Sequence, residues 1–135
     1  MADHAFTQVI ADARTRTFEW GLHDCVTFAS AAVRARTQRD VLAEIGLFPA
    51  WRTALEAAHA IESVGGLHAA LTHLFGEPVA ILAARAGDVA IVRDPERPSR
   101  ELLAVCHHGV LLAPSLRGLA VLSLATALAA WKVAP

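Results

Sequence analysis

The most informative stretch of the chain is Phe18-Glu19-Trp20-Gly21-Leu22-His23-Asp24-Cys25-Val26-Thr27-Phe28, in which an aromatic-glycine turn leads into a helical pattern. Asp24 is of a residue type that caps helices, and apolar residues follow it at helical spacing to about Arg36. The pattern predicts that Cys25 lies in the first turn of a helix. Unpaired amides and the helix dipole at that position favour a thiolate, the form of cysteine that attacks a carbonyl.

Two readings of Cys25 stay open at this point. The carboxylate of Asp24 opposes ionisation of its neighbour, because a second negative charge nearby is unfavourable. Cys25 is therefore either a nucleophile at a helix start or a small buried hydrophobic residue in a helix turn.

Composition bounds the class of protein. The chain has 135 residues, of which 55% are hydrophobic and 19% charged, and its formal net charge is −1. We expect one globular domain over residues 1–135. No run of lysine and arginine is present, so we expect neither a nucleic-acid partner nor a membrane partner. Cys25 and Cys106 form no CxxC pair, which predicts neither a disulfide framework nor a redox motif.

The spacing of apolar residues changes midway along the chain. Helical spacing comes first and short apolar runs separated by turns follow, which predicts an α+β domain with an antiparallel sheet. The predicted helices cover residues 4–15, 25–36, 50–61 and 67–74, and the predicted strands cover residues 79–82, 87–92, 102–106, 110–113 and 120–122.

The order of these features resembles the NlpC-type, papain-like cysteine peptidases. More closely, the chain is similar to a family of short NlpC-like proteins of tailed phages and prophages. The resemblance implies a papain-like fold with N-terminal helices packed on a small antiparallel sheet. It rests on features that span almost the whole chain: Trp20-Gly21, Asp24-Cys25, Asp40, Gly65-Gly66, Gly87-Asp88-Val89, Arg117-Gly118-Leu119 and Ala130-Trp131-Lys132-Val133.

The resemblance also implies a chemistry, in which Cys25 is the nucleophile of a peptidase or amidase acting on peptidoglycan stem peptides. Such enzymes carry a histidine base at the start of the second core strand and a polar residue on the next strand. This sequence departs from that pattern, because Glu101 or Leu102 stands at the first position and Leu112 near the second. Neither leucine can accept a proton.

Four residues remain as candidate bases. His107 and His108 lie five or six positions further along the strand, a displacement of roughly 15–20 Å. His23 is close to Cys25 in sequence and reaches it if the turn folds back. Glu101 acts as a weak base if burial raises its pKa. A group of Cys106, His107 and His108 lacks metal-ligand spacing, so we expect no metal and no other cofactor.

Two functions therefore stay open. The first is an active cysteine hydrolase of peptidoglycan peptides, and the second is a catalytically inactive structural or assembly component of a phage-like tail tip, with other tail proteins as partners. The N-terminus carries Asp3 where a signal peptide is basic. We accordingly expect synthesis in the bacterial cytoplasm without a signal peptide, followed by incorporation into a virion tail.

Overall fold

The computed structural model describes residues 2–134 and is an α+β domain. Five helices precede an antiparallel sheet of five strands, and the order of helices before strands is the one that the apolar spacing predicts. The helices are α1 (Ala2–Ala13), α2 (Cys25–Thr37), α3 (Val41–Glu44), α4 (Ala54–Ser63) and α5 (Leu67–Phe75); the strands are β1 (Val89–Arg93), β2 (Glu101–His107), β3 (Val110–Ser115), β4 (Gly118–Ser123) and β5 (Ala129–Trp131). The order of the strands across the sheet is β4-β3-β2-β1-β5.

Both faces of the sheet are covered. The α2 helix and the Phe6 face of α1 pack on one face, where Val105 and Trp131 are fully buried. Two single 3₁₀ turns, Ile81–Ala83 and Leu124–Thr126, cover the other face. Burial on both sides explains why β1 and the middle of β2 are continuous apolar runs rather than alternating ones.

One predicted strand is absent, and one helix begins later than predicted. Residues 79–82 are not a strand, because only Val79 forms a bridge, with Ala130, and the chain then turns to cover the sheet. The α4 helix begins at Ala54 rather than at residue 50, since the Thr53 hydroxyl accepts the Glu56 amide and sets its start. The helix α3 and the strand β5 are not predicted from the sequence pattern. Over residues 2–134, no helix combines the length and the apolar character needed to cross a membrane.

Candidate functional site

A tight turn delivers Cys25 to the start of α2. The main chains of Glu19 and His23 bond to each other, with N···O distances of 3.0 and 2.7 Å. Gly21 completes the turn at a φ of +82°, a conformation that glycine adopts without strain. The chain then runs extended through Asp24, and Cys25 is the first residue of the helix, as the sequence predicts.

Asp24 is the structural centre of this turn. Its side chain is almost fully buried, with 1% of its surface exposed. Oδ1 accepts the Thr27 amide at 2.9 Å, and Oδ2 accepts the Gly21 amide at 2.8 Å and the Trp51 Nε1–H at 2.7 Å. The Thr27 hydroxyl in turn accepts the Asp24 amide, which completes a capping box. The carboxylate thus joins the start of α2 to the loop before α4.

Cys25 lies between two lobes of one cleft. The lobes share Trp20, Cys25, Arg100 and Leu102. The larger lobe, of about 510 Å³, lies between the start of β2 and the helices α4 and α5. The smaller lobe, of about 200 Å³, lies between the start of β2, the end of β3 and the loop over residues 94–97.

The smaller lobe exists because β2 and β3 separate. They pair only from Val105 with Leu112 to His107 with Val110. If this register continued, the next residue of β3 to form main-chain hydrogen bonds with β2 would be Pro114, which has no amide hydrogen to donate. Main-chain groups of Cys106 bond to the β1 side, to Asp88 and Gly87. Since bonding direction alternates along an antiparallel strand, the main chain of Leu103 faces the gap.

Arg100 borders both lobes and is held by two contacts. Its guanidinium lies 6.0 Å from the centre of the Trp20 ring, and its Nε lies 3.4 Å from a carboxylate oxygen of Asp94. That Nε is buried and has no hydrogen-bond partner of good geometry. The result is one cation fixed beside the cysteine.

The Cys25 thiol is protonated at neutral pH. Its pKa is raised to about 11, chiefly by burial of the sulfur and in smaller part by the Asp24 carboxylate, while the Leu103 amide and Arg100 act in the opposite direction. The desolvation cost therefore outweighs the helix start and the nearby cation. At this site the neighbours of the cysteine stabilise the thiol and not the thiolate.

The structure places both strand-end histidines away from Cys25. The His107 ring packs at 5.6 Å from the Phe6 ring and at 4.0 Å from the His108 ring. It stands at the opposite end of β2 from Glu101, and six residues of strand span roughly 20 Å. Burial, and then the nearby His108 and Arg14, lower the pKa of His107.

His23 points into the protein rather than into the cleft. It is 4% exposed, and its ring lies 6.2 Å from the Phe28 ring. Burial, and then the charge of Arg16, lower its pKa. None of the chain's seven histidines, all within the described residues, lines either lobe. Of the four candidate bases, only Glu101 borders the cleft, and its side chain is exposed there.

Cys106 lies on the other face of the sheet from the helices, with 1% of its surface exposed. Burial, and then the Asp88 carboxylate, raise its pKa. Among the described residues, no three His, Cys, Asp or Glu side chains come together as metal ligands.

Sequence reasoning missed two features of the site. The capping box had a visible signal, because Asp24 and Thr27 have the spacing of that motif. The partners Trp51 and Arg100 had none, since they lie 27 and 75 positions from Asp24 and Cys25 respectively and meet them only in the fold.

The protein is therefore an α+β domain in which a cysteine at the start of a helix lies in a two-lobed cleft. Comparison of the sequence with known families matches residues 2–133 to the family described as a domain of unknown function, DUF6950. The chain belongs to this family, which covers almost its entire length. No curated protein matches the chain.

Proposed function

We propose that this chain is a papain-like domain of the NlpC type that serves as a non-catalytic assembly component of a phage-like tail tip. The helix-start cysteine and the helices-then-strands order support the papain-like assignment. The tail location rests on the resemblance of motifs to the short phage and prophage proteins.

One observation carries the non-catalytic part of the proposal. Amide hydrolysis by a cysteine needs a thiolate and a group that moves its proton to the leaving amine. Here the thiol has a pKa of about 11, and no imidazole lines the cleft among the described residues. Asp24, the nearest carboxylate in sequence, is occupied by three hydrogen bonds from the turn, the helix and Trp51.

The cleft is still suited to holding an extended chain. The larger lobe has a wall of small side chains on α4, including Ala54 and Ala58, and the Gly65-Gly66 pair lets another backbone come close. The Leu103 amide acts on the Cys25 sulfur, which leaves the Leu103 carbonyl, facing the gap beside the smaller lobe, as an acceptor for a bound chain. A segment of a neighbouring tail protein that lies across Cys25 is bound and left uncut.

The hydrolase remains the second candidate, because Cys25 is the first residue of α2 and borders both lobes. In that case a residue from another chain supplies the base, and peptidoglycan stem peptides are the substrate. The two candidates differ in whether the sulfur of Cys25 is required.

A genetic test separates them in the phage or prophage that encodes the chain. Deletion is expected to abolish infective particles, and Cys25→Ala is expected to restore them fully. Ala58→Trp, which fills the larger lobe from the exposed face of α4, is expected not to restore infective particles. Ala31→Trp, at an exposed position of α2 outside the cleft, is the matched control and is expected to succeed.

Two results would overturn the proposal. Loss of infectivity in Cys25→Ala, together with new amine ends released from purified peptidoglycan by the wild-type protein, would establish the hydrolase. Full infectivity of the phage with Ala58→Trp would show that the cleft has no role in assembly.

A further inference from the structure

A second groove lies away from the Cys25 cleft, where the C-terminal ends of α2 and α5 meet the segment after β5. It is shallow and has a volume of about 640 Å³. Leu74, Phe75 and Val133 contribute apolar surface to it. Nothing in the proposed function uses this surface.

Three cations border this groove, and no carboxylate does among the described residues. They are Arg36 at the end of α2, Arg39 just beyond it and Lys132 after β5. A chain with a net charge of −1 thus concentrates three positive charges on one small concave surface. Charge of one sign around a groove favours a ligand of the other sign.

Two of the three cations each lie near one carboxylate oxygen. Arg36 lies 3.6 Å from Asp3, whose side chain is 92% exposed, so solvent screens this pair. The Arg36 side chain itself is 25% exposed, and its guanidinium lies 5.5 Å from the centre of the Phe6 ring. Lys132 is half-exposed and lies 3.5 Å from Asp88. Asp88 also accepts the amides of Arg85 and Val133, so its carboxylate keeps partners when Lys132 turns away.

Arg39 has a different role. Its guanidinium bonds to both oxygens of Glu44, at 3.0 and 2.7 Å, and to the Leu74 carbonyl at 2.9 Å. It also lies 5.0 Å from the centre of the Phe75 ring. Arg39 is therefore a fixed part of the groove. Lys132 can turn toward a ligand, and Arg36 can exchange the exposed carboxylate of Asp3 for another carboxylate while its guanidinium stays over Phe6.

We infer that this groove binds an acidic segment of a partner protein, in which carboxylates flank an aliphatic side chain. The carboxylates pair with Arg36 and Lys132, and the aliphatic side chain lies on Phe75 and Val133. The apolar floor and the small size of the groove favour such a peptide over a nucleic acid, which needs a longer basic surface. The inference does not depend on what the Cys25 cleft does.

The test is fluorescence anisotropy with a labelled eight-residue peptide of alternating glutamate and leucine, at low salt. We expect a Kd of roughly 10–100 μM, weakened at least tenfold when glutamine replaces the glutamates and also weakened by about 0.3 M NaCl. The double variant Arg36→Gln, Lys132→Gln is expected to bind the glutamate peptide at least tenfold more weakly. The matched control Arg34→Gln, Arg117→Gln removes two charges from exposed ion pairs elsewhere and is expected to stay within twofold.

Several outcomes would overturn the inference. They are equal binding of the glutamine peptide, equal losses in both double variants, and absence of binding at millimolar peptide. Tighter binding of a single-stranded oligonucleotide through the same two residues would make the ligand a nucleic acid. Self-association that the Arg36, Lys132 variant abolishes, measured by sedimentation, would make it a second copy of the chain. Unfolding curves of all variants verify that each is folded.

Discussion

Replacing Asp24 by alanine removes the acceptor of three hydrogen bonds at once, two of them buried and one partly buried. The donors are the amides of Gly21 and Thr27 and the Trp51 Nε1–H, at 2.7 to 2.9 Å. A buried donor left without a partner costs about 1–3 kcal/mol, and these losses are not fully additive. We therefore expect Asp24→Ala to lower the free energy of unfolding by roughly 3–5 kcal/mol, a large share of the about 5–15 kcal/mol typical of a domain.

Urea unfolding monitored by tryptophan fluorescence measures this loss. Asp40→Ala is the matched control, because Asp40 also caps a helix but is exposed and accepts one amide, at 3.2 Å. We expect it to cost about 1 kcal/mol. If Asp24→Ala does not fold, Trp51→Phe removes one of the three donors and is expected to cost about 1–2 kcal/mol. Equal losses for Asp24→Ala and Asp40→Ala would refute the central role of Asp24.

Two further predictions concern the turn and the far end of β2. Gly21→Ala is expected to cost roughly 2–4 kcal/mol, since its φ is positive and a Cβ would meet the Trp51 carbonyl, whereas Gly46→Ala, with open space around it, is expected to cost about 1 kcal/mol by the same unfolding assay. Burial lowers the pKa of His107 in the folded state, so the unfolded chain binds protons more readily, and stability is lost as the pH falls below about 6.5. His107→Phe is expected to reduce the slope of unfolding free energy against pH between about 7.5 and 5. An unchanged slope would show that His107 is not the source of this pH dependence. His59→Gln, on the exposed side of α4, is the control.

The sequence predicts the parts of this fold that local chemistry determines. The start of α2 follows from Asp24, and the pairing of β1, β2 and β3 follows from apolar runs separated by turn residues. The error at residues 79–82 has a tertiary cause, because a short apolar run packs equally well as a strand or as a turn covering a sheet. β5 has only three residues and gains its bonds from β1, which no local pattern reveals.

Some features of the candidate site can likewise be predicted from the sequence, and others cannot. Cys25 and its place in the first turn of α2 could be read from the sequence, and so could the absence of a histidine at the start of β2. The raised pKa of the thiol could not, because it comes from the burial of the sulfur, with the Leu103 amide and Arg100 acting against it. Local sequence favours a thiolate at a helix start, but the tertiary fold supplies the larger and opposite effect.

The rate of Cys25 alkylation by iodoacetamide against pH tests the central claim most directly. At pH 7.4 a thiol with a pKa of about 11 is ionised to roughly 0.03%, against about 7% for a free cysteine. The more basic thiolate is roughly tenfold more nucleophilic, which leaves a net rate roughly 20- to 30-fold below that of the free amino acid.

The measurement uses Cys106→Ala, so that Cys25 is the only thiol, with the double variant Cys25→Ala, Cys106→Ala as the blank. The account predicts slow alkylation at neutral pH and a rate that rises about tenfold per pH unit to at least about pH 10. A fast reaction at pH 7 with a plateau below about pH 8 would show an activated thiolate. That result would contradict the non-catalytic account and leave the hydrolase as the function of the cleft.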